Sequence, residues 1–442
     1  MKKTLFLLLL TLLLGSVSPA FADEPKKSES IGGEIFGIHG GYIHPSITIG
    51  GEYSDNIYNT RNDRRDDFIW TISPEIWVAL PGTRKKAMAL SVSPKTPAGF
   101  TLSRKNPEAF RRYKAYLGYG ADIYRYRNYT DENRENHKLE GLLQYNFRGG
   151  LSLELIDQYV HAFDPVGVAP FTRHDEYTEN LFNGIATYEV TDKFKVRLDF
   201  THTDIDYKDR PAGEYPLPGR NRKDNGYAGY LFFKIRPKTS VFAQYQFIAI
   251  DYDENILADD SEERIFFGGI TWKMTARSQG RFKIGYGEKD FADAAIKDNH
   301  HLFLEGAIHH SFTPKTGLSL VGFRRTDETT IAGTRYVLTH GVTADYTQRF
   351  TEKLTGHLHC SYAWDQYQEK ISFDGETRER EDDLIRFRPS LRYAFTRWLR
   401  IDAAYMYSRR NSNFNIFDFA ENRFFLRLSL SLHRRQSGIP AD

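Results

Sequence analysis

Between Leu384 and Ser408 hydrophobic and polar residues alternate in a way that recurs along the chain. Ile385, Phe387, Leu391, Tyr393 and Phe395 share one parity, while Arg386, Arg388, Ser390 and Arg392 share the other. After Thr396 to Trp398 the apolar parity resumes with Leu399, Ile401, Ala403, Tyr405 and Tyr407, against Arg400, Asp402 and Ser408. Successive side chains on a strand point to opposite faces, so this stretch predicts two long strands joined by a tight turn. One face is too apolar for water and the other carries arginines. That is the pattern of a wall with lipid on one side and an aqueous lumen on the other.

The same rhythm predicts strands at 46–54, 68–80, 112–128, 136–147, 150–160, 177–190, 194–207, 224–236, 240–252, 263–275, 281–288, 299–312, 317–326, 335–349, 354–367, 383–395, 398–409 and 421–433. Short connections such as Thr191 to Lys193, Thr351 to Lys353 and Thr396 to Trp398 alternate with long polar ones such as 161–176, 208–223 and 368–382. An up-and-down transmembrane barrel keeps that order, with short periplasmic turns and long external loops, whereas a Greek-key sandwich has no reason to. The expected fold is therefore all-β, a single antiparallel transmembrane β-barrel of about 18 strands, within a range of about 16–20. Residues 46–433 form the barrel, 23–45 a periplasmic lead-in and 434–442 a tail. The segment 81–111 breaks the rhythm with Pro81, Pro94, Pro97 and Pro107 among basic residues. It is expected to be a basic excursion on the periplasmic side, where a partner could meet it, or a short hairpin using 87–92 and 99–103.

Lys2 and Lys3, the apolar run Leu5 to Leu14 and Ala20-Phe21-Ala22 have the form of a secretory signal ending at residue 22. A mean hydropathy of −0.55 would ordinarily suggest a soluble protein, but alternation averages out the apolar face of barrel strands. The aromatic share of 14 %, with 27 Tyr and 32 Phe, suits interfacial girdles. Sixty basic residues against 58 acidic give a net charge of +2, without the basic excess of a nucleic-acid binder. The single cysteine, Cys360, shares the apolar parity of Leu358 and Tyr362, so it reads as a small apolar residue.

On the polar parity, Arg386, Arg388, Arg392, Arg400, Arg427, Arg197, Lys195, Glu75, Asp345 and Asp402 become candidate lumen-lining contacts for an anion or an acidic polymer. The arginines gather on the last three strands. The competing reading is structural, with these cations paired to Asp402, Asp345 and other lumen acids. His300-His301, His309-His310 and His357/His359 lack a persuasive third ligand, so no metal and no cofactor is expected. No nucleophile, base and orienting acid stand out as a set, so no catalysis is proposed. Gly268-Gly269 and Gly285-Tyr286-Gly287 read as points where strands bend.

Glu52-Tyr53-Ser54-Asp55-Asn56-Ile57-Tyr58 ends the first strand, and an Asp-x6-Pro pattern occurs at Asp67 to Pro74 and again at Asp382 to Pro389. Over roughly the whole mature chain these features resemble the outer-membrane β-barrel porins associated with exopolysaccharide and capsule biosynthesis loci, including exosortase-associated barrels. The resemblance implies a Gram-negative outer-membrane channel that exports or assembles a surface polysaccharide. Its expected partners are outer-membrane lipid, the polysaccharide, periplasmic export proteins and the barrel assembly machinery. Two alternatives stand beside it: a general or anion-preferring diffusion porin, for which 161–176 and 208–223 are modest candidates for a constriction loop, and a non-transporting scaffold or adhesin. The oligomeric state is left open.

Overall fold

Alternation of apolar and polar residues forces each strand to find a neighbour on both edges, and the chain meets that demand by closing on itself. The computed structural model describes residues 42–83, 86, 93–99, 112–163, 174–208, 220–254, 260–275, 277–293, 299–329, 334–373 and 375–431. The proposed signal segment, most of the lead-in and the tail lie outside these. Eighteen strands follow in order: β1 (Ile43–Ser54), β2 (Asp67–Leu80), β3 (Tyr113–Tyr126), β4 (Arg134–Asn146), β5 (Leu151–Phe163), β6 (Glu176–Glu189), β7 (Phe194–Tyr207), β8 (Arg222–Arg236), β9 (Thr239–Tyr252), β10 (Ser261–Thr275), β11 (Ser278–Phe291), β12 (Asn299–Thr313), β13 (Thr316–Glu328), β14 (Tyr336–Arg349), β15 (Leu354–Phe373), β16 (Glu376–Ala394), β17 (Leu399–Ser412) and β18 (Phe419–Ser431). Each pairs antiparallel with its sequence neighbours, and β18 pairs with β1, with Ser46 opposite Ser431 and Ser54 opposite Arg423. Every strand has a neighbour on both sides, so the sheet closes, which is what a bilayer requires of a β protein.

The two faces separate as the alternation predicts. Trp70, Leu198, Leu231, Phe266, Tyr286, Leu391, Phe424 and Leu426 point outward and are exposed. Asp67, Thr71, Glu140, Gln158, Asp199, Asp224 and Lys283 point inward and are buried. A strand of 13 or 14 residues, rising ~3.3 Å per residue and tilted about 40°, covers the thickness of a hydrocarbon core. Among the described residues no helix is long and apolar enough to cross a membrane, so any crossing is made by strands.

One end of the barrel carries the tight connections. At three of them a threonine organises the turn. Phe194, Leu354 and Leu399 each donate a backbone N–H to the hydroxyl of the threonine three residues earlier, at 3.0, 2.9 and 3.1 Å. The hydroxyl thus takes over a backbone donor that the turn would leave unpaired. At Phe147 to Leu151 the turn depends instead on Gly150, whose φ of +84° favours glycine.

Three details depart from the sequence expectation. The glycines at Gly269 and Gly285 sit beneath Phe242 and Phe267 of the neighbouring strands, with no room for a Cβ, so they admit an aromatic ring rather than mark a bend. The expected loop 368–382 is mostly strand: β15 and β16 run on past their outer neighbours, with Lys370 opposite Glu379 and Phe373 opposite Glu376, and turn at Gly375, whose φ is +78°. The third departure is the segment after β2. Of its described residues, 93–99 lie inside the barrel and not on the periplasmic side. The proposed hairpin over 87–92 and 99–103 falls outside the described residues except for Gly99, which ends a one-turn 3-10 helix over Pro97–Gly99 and is not in a strand.

Candidate functional site

The lumen presents two features, a cationic wall on β16–β18 and β1, and an ionic cluster near the loop-bearing end. The wall follows from register. Arg392 lies opposite Asp402, Asp402 opposite Arg427, and Arg427 opposite Gly50. Arg392 donates to Asp402 at 2.5 Å, and Arg400 pairs with the other oxygen of the same carboxylate at 3.1 Å. Arg427 pairs with Glu52 at 3.5 Å, a carboxylate shared with Arg423, which also grips Glu421 at 2.5 Å. Arg386 and Arg388 stand between these groups and make no ion pair among the described residues. The Arg388 guanidinium lies 5.3 Å from the centre of the Phe425 ring, and Arg427 lies 5.1 Å from the same ring. A ring face attracts cations, so Phe425 holds two guanidinium groups close together without neutralising either.

All ten sequence-derived candidates face inward, and the structure sorts them. Arg386, Arg388, Arg392, Arg400, Asp402 and Arg427 come together on one wall. Asp345 sits beside it but pairs with His359 at 2.7 Å rather than with an arginine. Arg197 is on another wall and is already satisfied by a two-pronged contact with Asp199 at 2.6 and 2.7 Å. Lys195, on the same strand, lies 4.6 Å from the centre of the Phe232 ring. Glu75 is near the turn end, where Lys86 bridges it and Glu140 at 2.5 and 3.1 Å.

Sequence reasoning missed the second feature. The chain leaves β2 and enters β3 at the turn end, yet residues 94–98 reach side chains at the opposite end of the barrel. The Ala98 N–H donates to Asp224 at 2.9 Å, Thr96 donates to Asp327 at 3.2 Å, and Arg222 donates both to Asp224 and to the Pro94 carbonyl. Ala98 also packs on Ile248 and Ile250, apolar residues on the inward face of β9. Behind it, Lys289 is 1 % exposed between Glu263 and Glu328 at 3.4 and 2.9 Å, and Tyr252 donates to Glu328 at 2.7 Å. Arg222 and Lys289 lie just outside the strand limits that alternation predicts, so alternation assigns them no face. Glu263 lies on the inward parity of its strand, but nothing near it in sequence indicates its partners Lys289 and Thr326.

No group of side chains with the makings of a metal site occurs among the described residues.

Solved structures that align along most of the chain include the following two. Vanillate-bound OpdK of Pseudomonas aeruginosa has 9 % identity, a TM-score of 0.43, and coverage of 88 % of this chain and 100 % of that one. OccAB4 of Acinetobacter baumannii has 11 % identity, a TM-score of 0.43, and coverage of 89 % and 99 %. Likeness that loose carries no argument about substrate. A curated protein, the pre-mRNA-splicing factor slu7 of Dictyostelium discoideum, is 27 % identical over 137 residues, or 28 % of this chain. The chain spans about a quarter of that protein's length, 25 %, and a splicing role is not carried over from so partial a match. The family described as "Putative beta-barrel porin 2" matches residues 108–432, from just before β3 to the end of β18. With its closed wall of eighteen strands, this chain belongs to that family, and is an outer-membrane β-barrel of the porin type.

Proposed function

We propose that this barrel is a diffusion channel that favours small anions such as phosphate or carboxylates. The observation that carries the reading is the pair Arg386 and Arg388, two lumen-facing cations without ion-pair partners among the described residues, set beside Arg427 and Phe425. A fixed positive potential on a low-dielectric wall concentrates anions and repels cations. Arg392, Arg400 and Arg427, each already bound to Asp402 or Glu52, hold the wall in shape. Export of an acidic polysaccharide, the role implied by the sequence resemblance, would draw on the same wall. Residues 93–99 inside the lumen favour small solutes over a continuous polymer.

The test is reversal potential in planar bilayers holding the purified protein across a KCl gradient. Anion selectivity is expected, and the double variant Arg386→Glu/Arg388→Glu should shift it toward cations. A barrel that conducts nothing would instead match the scaffold or adhesin alternative. In the native host, loss of secreted polysaccharide on gene deletion, with phosphate uptake unchanged, would overturn the diffusion reading in favour of export.

A further inference from the structure

The ladder between β12 and β13 stops early. It runs without a register break from Ser311 opposite Gly317 to Leu304 opposite Arg324. Beyond that pair both strands continue, yet Asn299–Phe303 of β12 pair only with β11, and Arg325–Glu328 of β13 pair only with β14. The wall is split at its loop-bearing end. Arg324 spans the split by donating to the Leu302 carbonyl, a backbone acceptor that a strand neighbour would otherwise meet.

The tip of β13 has turned into the lumen. Thr326 donates to Glu263 of β10 at 2.6 Å, Glu328 takes hydrogen bonds from Lys289 of β11 and Tyr252 of β9, and the Glu328 N–H donates to the Lys95 carbonyl at 2.7 Å. Extending the existing register would place Phe303 opposite Arg325, Leu302 opposite Thr326, His301 opposite Asp327 and His300 opposite Glu328. Both segments are already strands, and no bulge separates them from the paired part.

We infer that β13 has two seats. In the seat seen here its tip is latched inside the barrel on Lys289, Glu263, Tyr252 and residues 94–98, and the lumen is narrowed. In the other, four further pairs form with β12, the split closes, and the tip returns to the wall, widening the lumen. The exchange is close to balanced because each seat satisfies what the other leaves open: the latched seat completes the buried charges, and the zipped seat completes the backbone ladder. Weakening the latch by a single charge then shifts the population.

The test uses two readouts in a Cys360→Ser background. Lys289→Met removes the cation between the two glutamates, and single-channel recordings should then show a larger conductance level at least tenfold more often than in the parent. Leu302→Cys/Thr326→Cys, which gives up the Thr326–Glu263 hydrogen bond but keeps Lys289 between the two glutamates, should form a disulfide slowly and at least tenfold faster when Lys289→Met is added, and the oxidised protein should stay in the large level until reduced. Heat-modifiable gel mobility identifies any variant that fails to fold, and Glu263→Gln is the second route to the same weakening. Unchanged conductance with an unchanged rate of cross-linking in the folded variants overturns the inference. The inference rests on the channel reading, but the two fail separately: selectivity is read from reversal potential, the latch from conductance level and cross-linking.

Discussion

Individual side chains in this lumen differ in what they stabilise, and their partners show which is which. Arg380 is fully buried, holds Asp382 at 2.5 and 2.9 Å and stacks 3.5 Å from the centre of the Phe417 ring. Removing one member of a buried pair strands the other, at a cost of about 3–5 kcal/mol. Arg410 still lies 3.6 Å from Asp382 when Arg380 is removed, so Arg380→Met should lower stability by the lower end of that range, about 3 kcal/mol, in urea unfolding from lipid vesicles. Thr351→Ala, which removes two hydrogen bonds, from the Lys353 and Leu354 N–H groups, at an exposed connection, should cost only about 0.5–1.5 kcal/mol in the same assay. Arg386→Gln should leave stability unchanged within about 0.5 kcal/mol, since no ion pair is lost, while reducing anion selectivity. A large loss of stability at Arg386 would mean that its charge is structural.

At the scale of elements, the two Asp-x6-Pro repeats acquire a physical account. Pro74 pairs with Ile47 of β1, but the ladder to β3 skips from Ile72–Ile123 to Glu75–Gly120. Pro389 likewise pairs with Leu358 of β15, while the ladder to β17 skips from Phe387–Tyr407 to Ser390–Ala404. In both cases the absent N–H faces the next strand, and the register is kept across the gap. Near Pro389 the gap opens into an apolar groove of about 600 Å³ lined by Leu358, Leu391, Ala403, Tyr405 and Phe424. Pro389→Ala restores the donor, so it should strengthen the β16–β17 seam by about 0.5–1.5 kcal/mol and slow amide exchange at Ser390 and its neighbours. Faster exchange there would show that the proline stiffens the strand. The strands themselves were legible because parity is a property of each strand alone. The missing ladder pairs were not, because they depend on which edge of a strand the proline nitrogen faces.

For the whole molecule, the wall and its polarity could be read from local alternation, but the filling of the lumen could not. Residues 93–99 show no periodicity, and their partners Arg222, Asp224 and Asp327 are more than a hundred positions away, so nothing near them in sequence indicates that they turn inward. The cationic wall was legible because Arg386, Arg388, Arg392, Arg400 and Arg427 lie on consecutive strands with the same parity. Its division into paired and unpaired arginines depended on Glu52, which only barrel closure brings beside β18. This separation of wall from filling has a measurable consequence. Replacing residues 93–99 with a glycine-serine run should raise conductance and leave the reversal potential where the intact channel has it. Loss of selectivity in that variant would move the anion site from the wall to the inserted segment.

The paired extension of β15 and β16 adds a consequence of its own. Residues 368–373 and 376–381 extend beyond the ladders on either side; their lower part packs on Phe414 and Phe417 through Ile371 and Arg380, and the turn at Gly375 stands beyond that packing. The turn at Gly375 has open space around its Cα, and exposed turns of this kind accept insertions. The protein thus carries a mast as well as a pore. An epitope spliced in at Gly375 should be bound by antibody on intact cells, so the turn gives phages and neighbouring cells a point of contact with the molecule.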